Sequence, residues 1–290
     1  MSHTMFSRTF VRTIGIMITL NNCSPNHAAQ PGFSTVLPRE QLKPSMQDEW
    51  MPKQSPGTRQ YLIEDSSTTL ISDDPTHTSL LQTATTYSLS LIALADSFSF
   101  TAKVDSMSTS LASSPGTSTV NKLFSQTVHG TFSNSGEISA VIGDAPSSCQ
   151  GGVDAAGMRV FELAQYYPKR AIKIGDKWAD TISVINCRGK ITLRQIIIRE
   201  YQLLELTNWK EYAVAKIQQN ISTTATGTNP ESQNHLITTG SGTGTVTFYA
   251  DRTKGFLRES SGHSESKFII TTNRGSYPFT QNIITHIRIQ

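Results

Sequence analysis

The chain has 290 residues, enough for one large β domain or two small ones, and its formal net charge is only +3. Charged residues make up 16%, well below the roughly 25% usual in soluble domains, and Ser and Thr take up the polar positions instead, as is common in exported β proteins. Lys and Arg are scattered, with no basic stripe interleaved with aromatics, so nucleic-acid binding is excluded.

Residues 1–29 read as a targeting segment. Arg8 and Arg12 form a positive start, and IGIMITL (14–20) is apolar but shorter than the about 20 residues that span a bilayer. Cys23 follows after Asn21 and Asn22. An apolar residue, two small residues and a Cys end a lipoprotein signal, in which that Cys is diacylated. The two Asn depart from the Gly, Ala or Ser usual there. Ordinary cleavage near Ala28 and Ala29 is the competing reading, and a cytoplasmic tail is the third. Either cleavage leads to the bacterial cell envelope, lipid-anchored or periplasmic or secreted, with the membrane as a partner through an anchor at Cys23. Residues 30–58 are rich in Pro, Gln and Ser without a period and read as a flexible tether, with Trp50 anchoring its end.

A single β-rich domain is expected over 59–290. Strands are predicted at 61–63, 69–71, 86–91 and 98–104. In 86–91 Tyr87, Leu89 and Leu91 fall on one face and Thr86, Ser88 and Ser90 on the other, the period of a half-buried strand. Residues 113–116 read as a loop, and 128–142, broken at Ser135 and Gly136, as a hairpin. Residues 154–167 break the β pattern. Val160, Leu163, Ala164 and Tyr167 sit at helical spacing, Phe161 widens the stripe, Asp154 caps the start and Pro168 stops it. Further strands are predicted at 191–198, 201–206, 212–221, 244–249, 256–260, 267–272 and 283–289, with a turn at 207–211 and a longer loop at Asn229 and Pro230.

Two stretches look like copies of one another. FSFTAKV (98–104), a Ser/Thr tail at 108–110, GTF (130–132) and GEI (136–138) are matched in order by YAVAKI (212–217), STT (222–224), GTV (244–246) and GFL (255–257). Such a repeat predicts two related β-meander units, over 59–145 and 185–290, sharing one core with the helix between them.

No residue pattern carries catalysis. GHSES (262–266) resembles a nucleophile elbow but lacks its last Gly and its strand-turn-helix setting, so it reads as a polar strand face. GSGTG (240–244) has no following Lys-Ser/Thr and no helix, so it reads as the start of a strand or a bulge. The seven His occur singly, giving no metal site, and no cofactor is implied. Asp176 and Asp180 flank Trp178 and form a conceivable acid/base pair. The simpler reading makes them solvated charges beside a turn, with Trp178 the first core residue of a strand. Cys149 and Cys187 sit in no Cys-x-x-Cys motif. An oxidising compartment favours a disulfide between them, with two separate buried thiols as the alternative.

GDKW (175–178), with the preceding YPKRAIKI (167–174), resembles a segment of uncharacterised bacterial envelope lipoproteins. There a Pro-x-x-x-Val/Ile-x-x-Gly-Asp-x-Trp run joins a helix to the second half of a mostly-β domain. More distantly the layout is similar to the lipoprotein-carrier superfamily, whose half-barrels hold acyl chains. The expected fold is therefore mainly β, an antiparallel curved sheet or half-barrel of two repeated β-meander units, with one α-helix on its concave side. The expected function is non-enzymatic, binding or carrying an apolar ligand such as a lipid. Tyr87, Leu89, Leu91, Phe98, Phe100, Phe161, Trp178, Phe248 and Phe256 are the candidate lining residues, ordinary core packing being their alternative role. The competing function is a surface or scaffold protein that binds another envelope component by its Ser/Thr-rich face or an exposed strand edge.

Overall fold

A computed structural model describes residues 49–71, 74–113, 116–122, 127–143, 153, 155–188, 191–229 and 236–290. Cys23 and Cys149 lie outside the described residues, and with them the expected lipid anchor and the disulfide to Cys187. The strands are β1 (Glu49–Trp50), β2 (Gly57–Ile71), β3 (Asp74–Ala93), β4 (Ser97–Ser113), β5 (Gly116–Lys122), β6 (Thr127–Ser133) and β7 (Ile138–Gly143). Helix α1 (Ala155–Leu163) follows. Then come β8 (Ile172–Lys173), β9 (Lys177–Arg188), β10 (Ile191–Trp209), β11 (Tyr212–Asn229), β12 (Leu236–Asp251), β13 (Leu257–Thr272) and β14 (Gly275–Ile289).

One curled antiparallel sheet has the order β7-β6-β4-β3-β2-β14-β13-β12-β11-β10-β9, with β5 also pairing with β4. The last strand pairs with β2, as in Ile283 opposite Ser67. The N-terminal and C-terminal meanders therefore join in the middle of the sheet, and β7 and β9 are its two ends. The expected antiparallel half-barrel with one helix is the observed fold.

The strands are longer than the sequence suggests. Residues 61–63 and 69–71, expected as separate strands, belong to one strand, β2, that runs through Asp65, Ser66 and Ser67. Arg59, Tyr61, Ile63, Asp65, Ser67 and Thr69 all point inward and are buried. Asp65 and Ser67 are tolerated there because they find partners. Asp65 accepts hydrogen bonds from the hydroxyls of Thr83 (3.2 Å) and Thr285, and Ser67 accepts one from Gln281 Nε2 at 2.8 Å. β10 likewise runs unbroken through Arg199 and Glu200. GSGTG lies in mid-strand, and the β12 register is continuous through it, so it is neither a strand start nor a bulge. A Cβ on Gly240 would lie 2.0 Å from Phe268 Cδ1, which explains the glycine by close approach of the neighbouring strand's ring.

The main core gathers Tyr61, Tyr87, Phe100, Phe132, Tyr201 and Phe248 under the helix. A smaller core, with Leu193, Leu236, Phe268 and Phe279, lies farther along the sheet. Helix α1 ends sooner than its stripe suggests. Its last turn is closed by Ala164 N–H to Val160 O at 2.8 Å, and Tyr167 N–H instead bonds Ser135 O at 2.7 Å. Tyr167 is thus buried by an extended segment, not by a helix face.

That segment and the chain start cap one end of the sheet. β1 and β8 form a two-stranded sheet with Trp50 opposite Ile172. Trp50 is 4% exposed, meets the Tyr167 ring edge-on at 5.1 Å and donates its indole N–H to Arg252 O at 3.1 Å. Residues 49–58 are therefore part of the folded domain and not of the tether to which they were assigned. The two look-alike stretches occupy comparable places. β4, β6 and a turn at Gly136 lead to β7, while β11, β12 and a turn at Gly255 lead to β13. Both glycines have positive φ, 86° and 71°. A Cβ on either would collide with backbone, 2.0 Å from Gln165 O and 2.2 Å from Lys53 O.

Candidate functional site

β9 starts after a tight turn at Gly175, whose φ is 89°. Asp176 holds that turn by accepting the Lys173 N–H at 3.2 Å. Trp178 then stacks on Tyr201 at 5.4 Å and donates to Tyr166 O at 2.9 Å. This is the turn-then-core arrangement expected of GDKW. Asp180 is not a solvated charge. It pairs with the buried Arg199, through Nε to Oδ1 at 2.9 Å and through Nη2 to Oδ2, and accepts the Tyr201 hydroxyl at 3.3 Å. The same guanidinium donates from Nη1 to Phe161 O (2.8 Å) and Ala164 O (3.3 Å). A cation from the sheet thus satisfies the carbonyl end of the helix, where its dipole is negative. Asp176 and Asp180 have separate structural jobs and do not form an acid/base pair.

On one side β9 pairs with β10 along its whole length. On its other side the described contact is at one end, where Val153 N–H bonds Ile185 O at 2.7 Å in a parallel bridge opposite Asn186. In an extended strand the N–H and C=O of alternate residues point to the same side. The backbone groups of Ser183, Thr181 and Ala179 therefore face the way that Ile185 O does. Among the described residues β7 pairs with β6 on one side only. Between these two edges lies a cleft of about 750 Å³. Ile138 and Val141 of β7, Phe161 of α1 and Ile182 and Val184 of β9 give it apolar surface, and Tyr166, Arg194 and Arg199 give it polar surface.

A charge cluster ties the helix to the middle of the sheet. Arg159 donates to Glu162 Oε2 at 2.6 Å and to Asp65 Oδ2. Burial pushes the Glu162 carboxyl up to about 7, Arg159 opposes this and Asp65 adds to it. These three residues are not among those lining the cleft. On the outer face a polar groove of about 510 Å³ includes Glu200, Asn220, Thr243, His263 and Glu265. Among the described residues no three His, Cys, Asp or Glu converge in a way that could hold a metal ion. In GHSES, Ser264 points inward and is buried while His263 points outward.

Tyr87, Leu89, Leu91, Phe98, Phe100 and Phe248 are all packed in the main core. Phe256 is buried beneath two guanidinium groups, Arg59 at 4.4 Å and Arg258 at 4.7 Å. Trp178 is partly buried on Tyr201. Phe161 alone among the nine candidates lines the cleft. Sequence reasoning missed the cleft because it is made by strand order. It also missed Arg199, although a charge at an inward position between Ile197 and Tyr201 was a usable signal.

No protein-family profile and no curated protein matches the chain. Among solved structures it is similar to OccK5 (OpdH) of Pseudomonas aeruginosa, at 7% identity over 81% of this chain and 98% of that one, with a TM-score of 0.27. It is similar to an outer membrane channel from Pseudomonas putida F1 at 10% identity, over 86% of this chain and 100% of the other, with a TM-score of 0.26. For a mutant of the Rh. blastica porin the figures are 8%, 80%, 100% and 0.24. No functional weight rests on likeness of that size.

Proposed function

We propose that this chain is an exported, non-enzymatic protein of the bacterial cell envelope that holds another envelope component in the cleft between β7 and β9. The observation that carries this reading is a pair of strand edges opening on one cleft beside a filled core. The N-terminal pattern of Arg8, Arg12, an apolar run and Cys23 supports export, and Cys23 is the proposed membrane anchor. A membrane-spanning barrel turns an apolar band outward. Here the exposed positions of β11 and β12 are mostly polar, Ser222, Thr224, Thr226, Thr228, Thr239, Ser241 and Thr243 among them, with Tyr212 and Ile237 the exposed large apolar residues. That polar face fits a domain bathed in water at the end of a tether.

A second reading, an apolar ligand such as a lipid, is favoured by the cleft volume of about 750 Å³, above the about 300 Å³ at which ligand sites begin. It is disfavoured by the aromatic and aliphatic candidates being used up in the core. The test is a photo-crosslinking amino acid at Ser183 of the full chain in living bacteria, with Thr226 on the outer face as control. A protein-sized adduct at 183 alone supports the scaffold reading, and a lipid-sized adduct supports the second. Equal labelling at both sites defeats both.

A further inference from the structure

We infer that the end of the half-barrel at which Glu49 enters the fold is a membrane-docking surface, seated on an anionic lipid bilayer with the β3–β4 turn set into the interface. This rests on the proposal of an exported chain anchored through Cys23, and it names the part of the domain that meets the membrane. Antiparallel pairing puts the connections 94–96, 134–137, 164–176, 210–211 and 252–256 at one end of the sheet, together with residues 49–56. The first argument is the apolar surface there. β3 ends at Ala93 and β4 starts at Ser97, and Leu94 N–H closes the turn on Ser97 O at 2.8 Å. Hairpin tips are usually built of Gly, Asn, Asp, Pro or Ser. This one is led by Ile92, Ala93, Leu94 and Ala95, all exposed, with Ile92 at 62% and Leu94 at 51%. A run of consecutive apolar residues held out of the core costs solubility and marks an interaction surface. Leu91 lies opposite Gly57, so the turn stands beside the segment that leads into β2. Met51 in that segment is 62% exposed, and Ile174, next to the β1–β8 ribbon, is 52% exposed.

The second argument is charge. Among the described residues at this end, Glu49 is paired with Lys173, Asp176 with Arg170 and Asp251 with Arg258. The cations outside these pairs, Lys53, Lys169, Lys177, Arg252 and Lys254, outnumber the carboxylates outside them, Asp96, Glu137 and Glu211. At an anionic lipid surface each cation gains roughly fivefold in binding. Lipid headgroups take the cations and the acyl boundary takes the apolar side chains, which is the combination this end presents. The third argument is the tether. About 25 residues separate Cys23 from Glu49, which as a flexible coil span roughly 25–30 Å. β11 has 18 residues and is about 60 Å long at about 3.3 Å per residue. The tether is thus about half as long as the strands and joins the domain at this end. An anchor at Cys23 therefore holds this end against the bilayer, and the Ser- and Thr-rich wall of β11 and β12 stays in water.

The probe is a vesicle of phosphatidylglycerol and phosphatidylethanolamine, mixed with the full chain carrying a photo-crosslinking amino acid at Leu94. The control position is Ile198, 42% exposed on the outer face of β10. We expect lipid-sized adducts at position 94 at least about tenfold above those at 198. They fall at least about threefold with vesicles of phosphatidylcholine, and as much in the variant Lys169→Glu with Lys254→Glu. A crosslinker at Met51 labels lipid in the same way and keeps the test valid if the chain altered at Leu94 does not fold. Equal labelling at 94 and 198, no lipid adduct at 94, or labelling that ignores lipid charge overturns the docking surface. So does an adduct of twice the chain's mass, because the exposed turn then meets a second copy. The mass of the chain as isolated from bacteria separates the two levels. Acyl chains on Cys23 with failed labelling keep the anchor and remove the docking surface; labelling at 94 without acyl chains keeps the docking surface and removes the anchor.

Discussion

Replacing Arg199 by Met tests the tie between helix, edge strand and sheet. The side chains of Arg199 and Asp180 are 5% and 14% exposed. Removing the guanidinium leaves the Asp180 carboxylate largely buried without its cation, at a cost of about 3–5 kcal/mol. It also frees the Phe161 and Ala164 carbonyls at the helix end, each worth about 1 kcal/mol or more if left dry. These losses overlap, so the expected total is about 4 kcal/mol. At about 2–4 °C per kcal/mol for a domain of this size, the melting temperature falls by roughly 8–16 °C. Urea unfolding followed by tryptophan fluorescence measures it, since Trp178 stacks on Tyr201 directly above the pair. The double variant Arg199→Met with Asp180→Leu recovers most of the loss, because the pair's attraction is nearly offset by its desolvation. A single variant that costs less than about 1 kcal/mol, or a double variant as unstable as the single, refutes the assignment.

Stability also depends on Glu162. Its carboxyl is pushed up from 4.5 to about 7 in the folded chain. Between those values the folded state holds a proton that the unfolded state releases, so stability falls as pH rises through the window and levels off above it. Unfolding free energies from urea titrations at pH 5 and pH 8 should differ by on the order of 1–3 kcal/mol, and Glu162→Gln should flatten the slope. Gly255→Ala forces a Cβ to within 2.2 Å of Lys53 O at a φ of 71°. A loss of at least about 2 kcal/mol is expected, together with altered Trp50 emission; unchanged stability and emission would show that the chain start is not docked there. Trp50→Ala should cost about 3–5 kcal/mol in the same assay, whereas a Trp50 that merely ended a tether would cost nothing measurable.

Much of the fold was legible because alternation is local. Tyr87, Leu89 and Leu91 announce a strand without reference to any other part of the chain, and they are buried as their period requires. The helix between the halves was visible for the same reason, as was the turn at Gly175 before Trp178. The errors share one cause. Residues 61–63 and 69–71 read as separate strands because buried polar residues between them have no visible partner, and the partners of Asp65 and Ser67, namely Thr83, Gln281 and Thr285, lie on other strands. Tyr167 fits a helical stripe by spacing, but its backbone N–H is claimed by Ser135 across the β6–β7 turn. Trp50 sits in a Pro-rich and Gln-rich stretch, and only the cap formed with Tyr167 and Arg252 shows that it belongs to the core.

The sequence by itself determined that the chain is built of amphipathic antiparallel strands interrupted by one helix. Period and turn chemistry act over a few residues and need no knowledge of the rest. Tertiary structure alone decided that β14 pairs with β2. That pairing puts the two halves side by side, leaves β7 and β9 as the ends and makes them run the same way. The cleft, the inward-facing Arg199 and the strand edge along Ala179, Thr181 and Ser183 all follow from it. Strand order is set by contacts between residues more than two hundred positions apart, such as Ile283 and Ser67, and no local pattern encodes which of many similar amphipathic strands will meet.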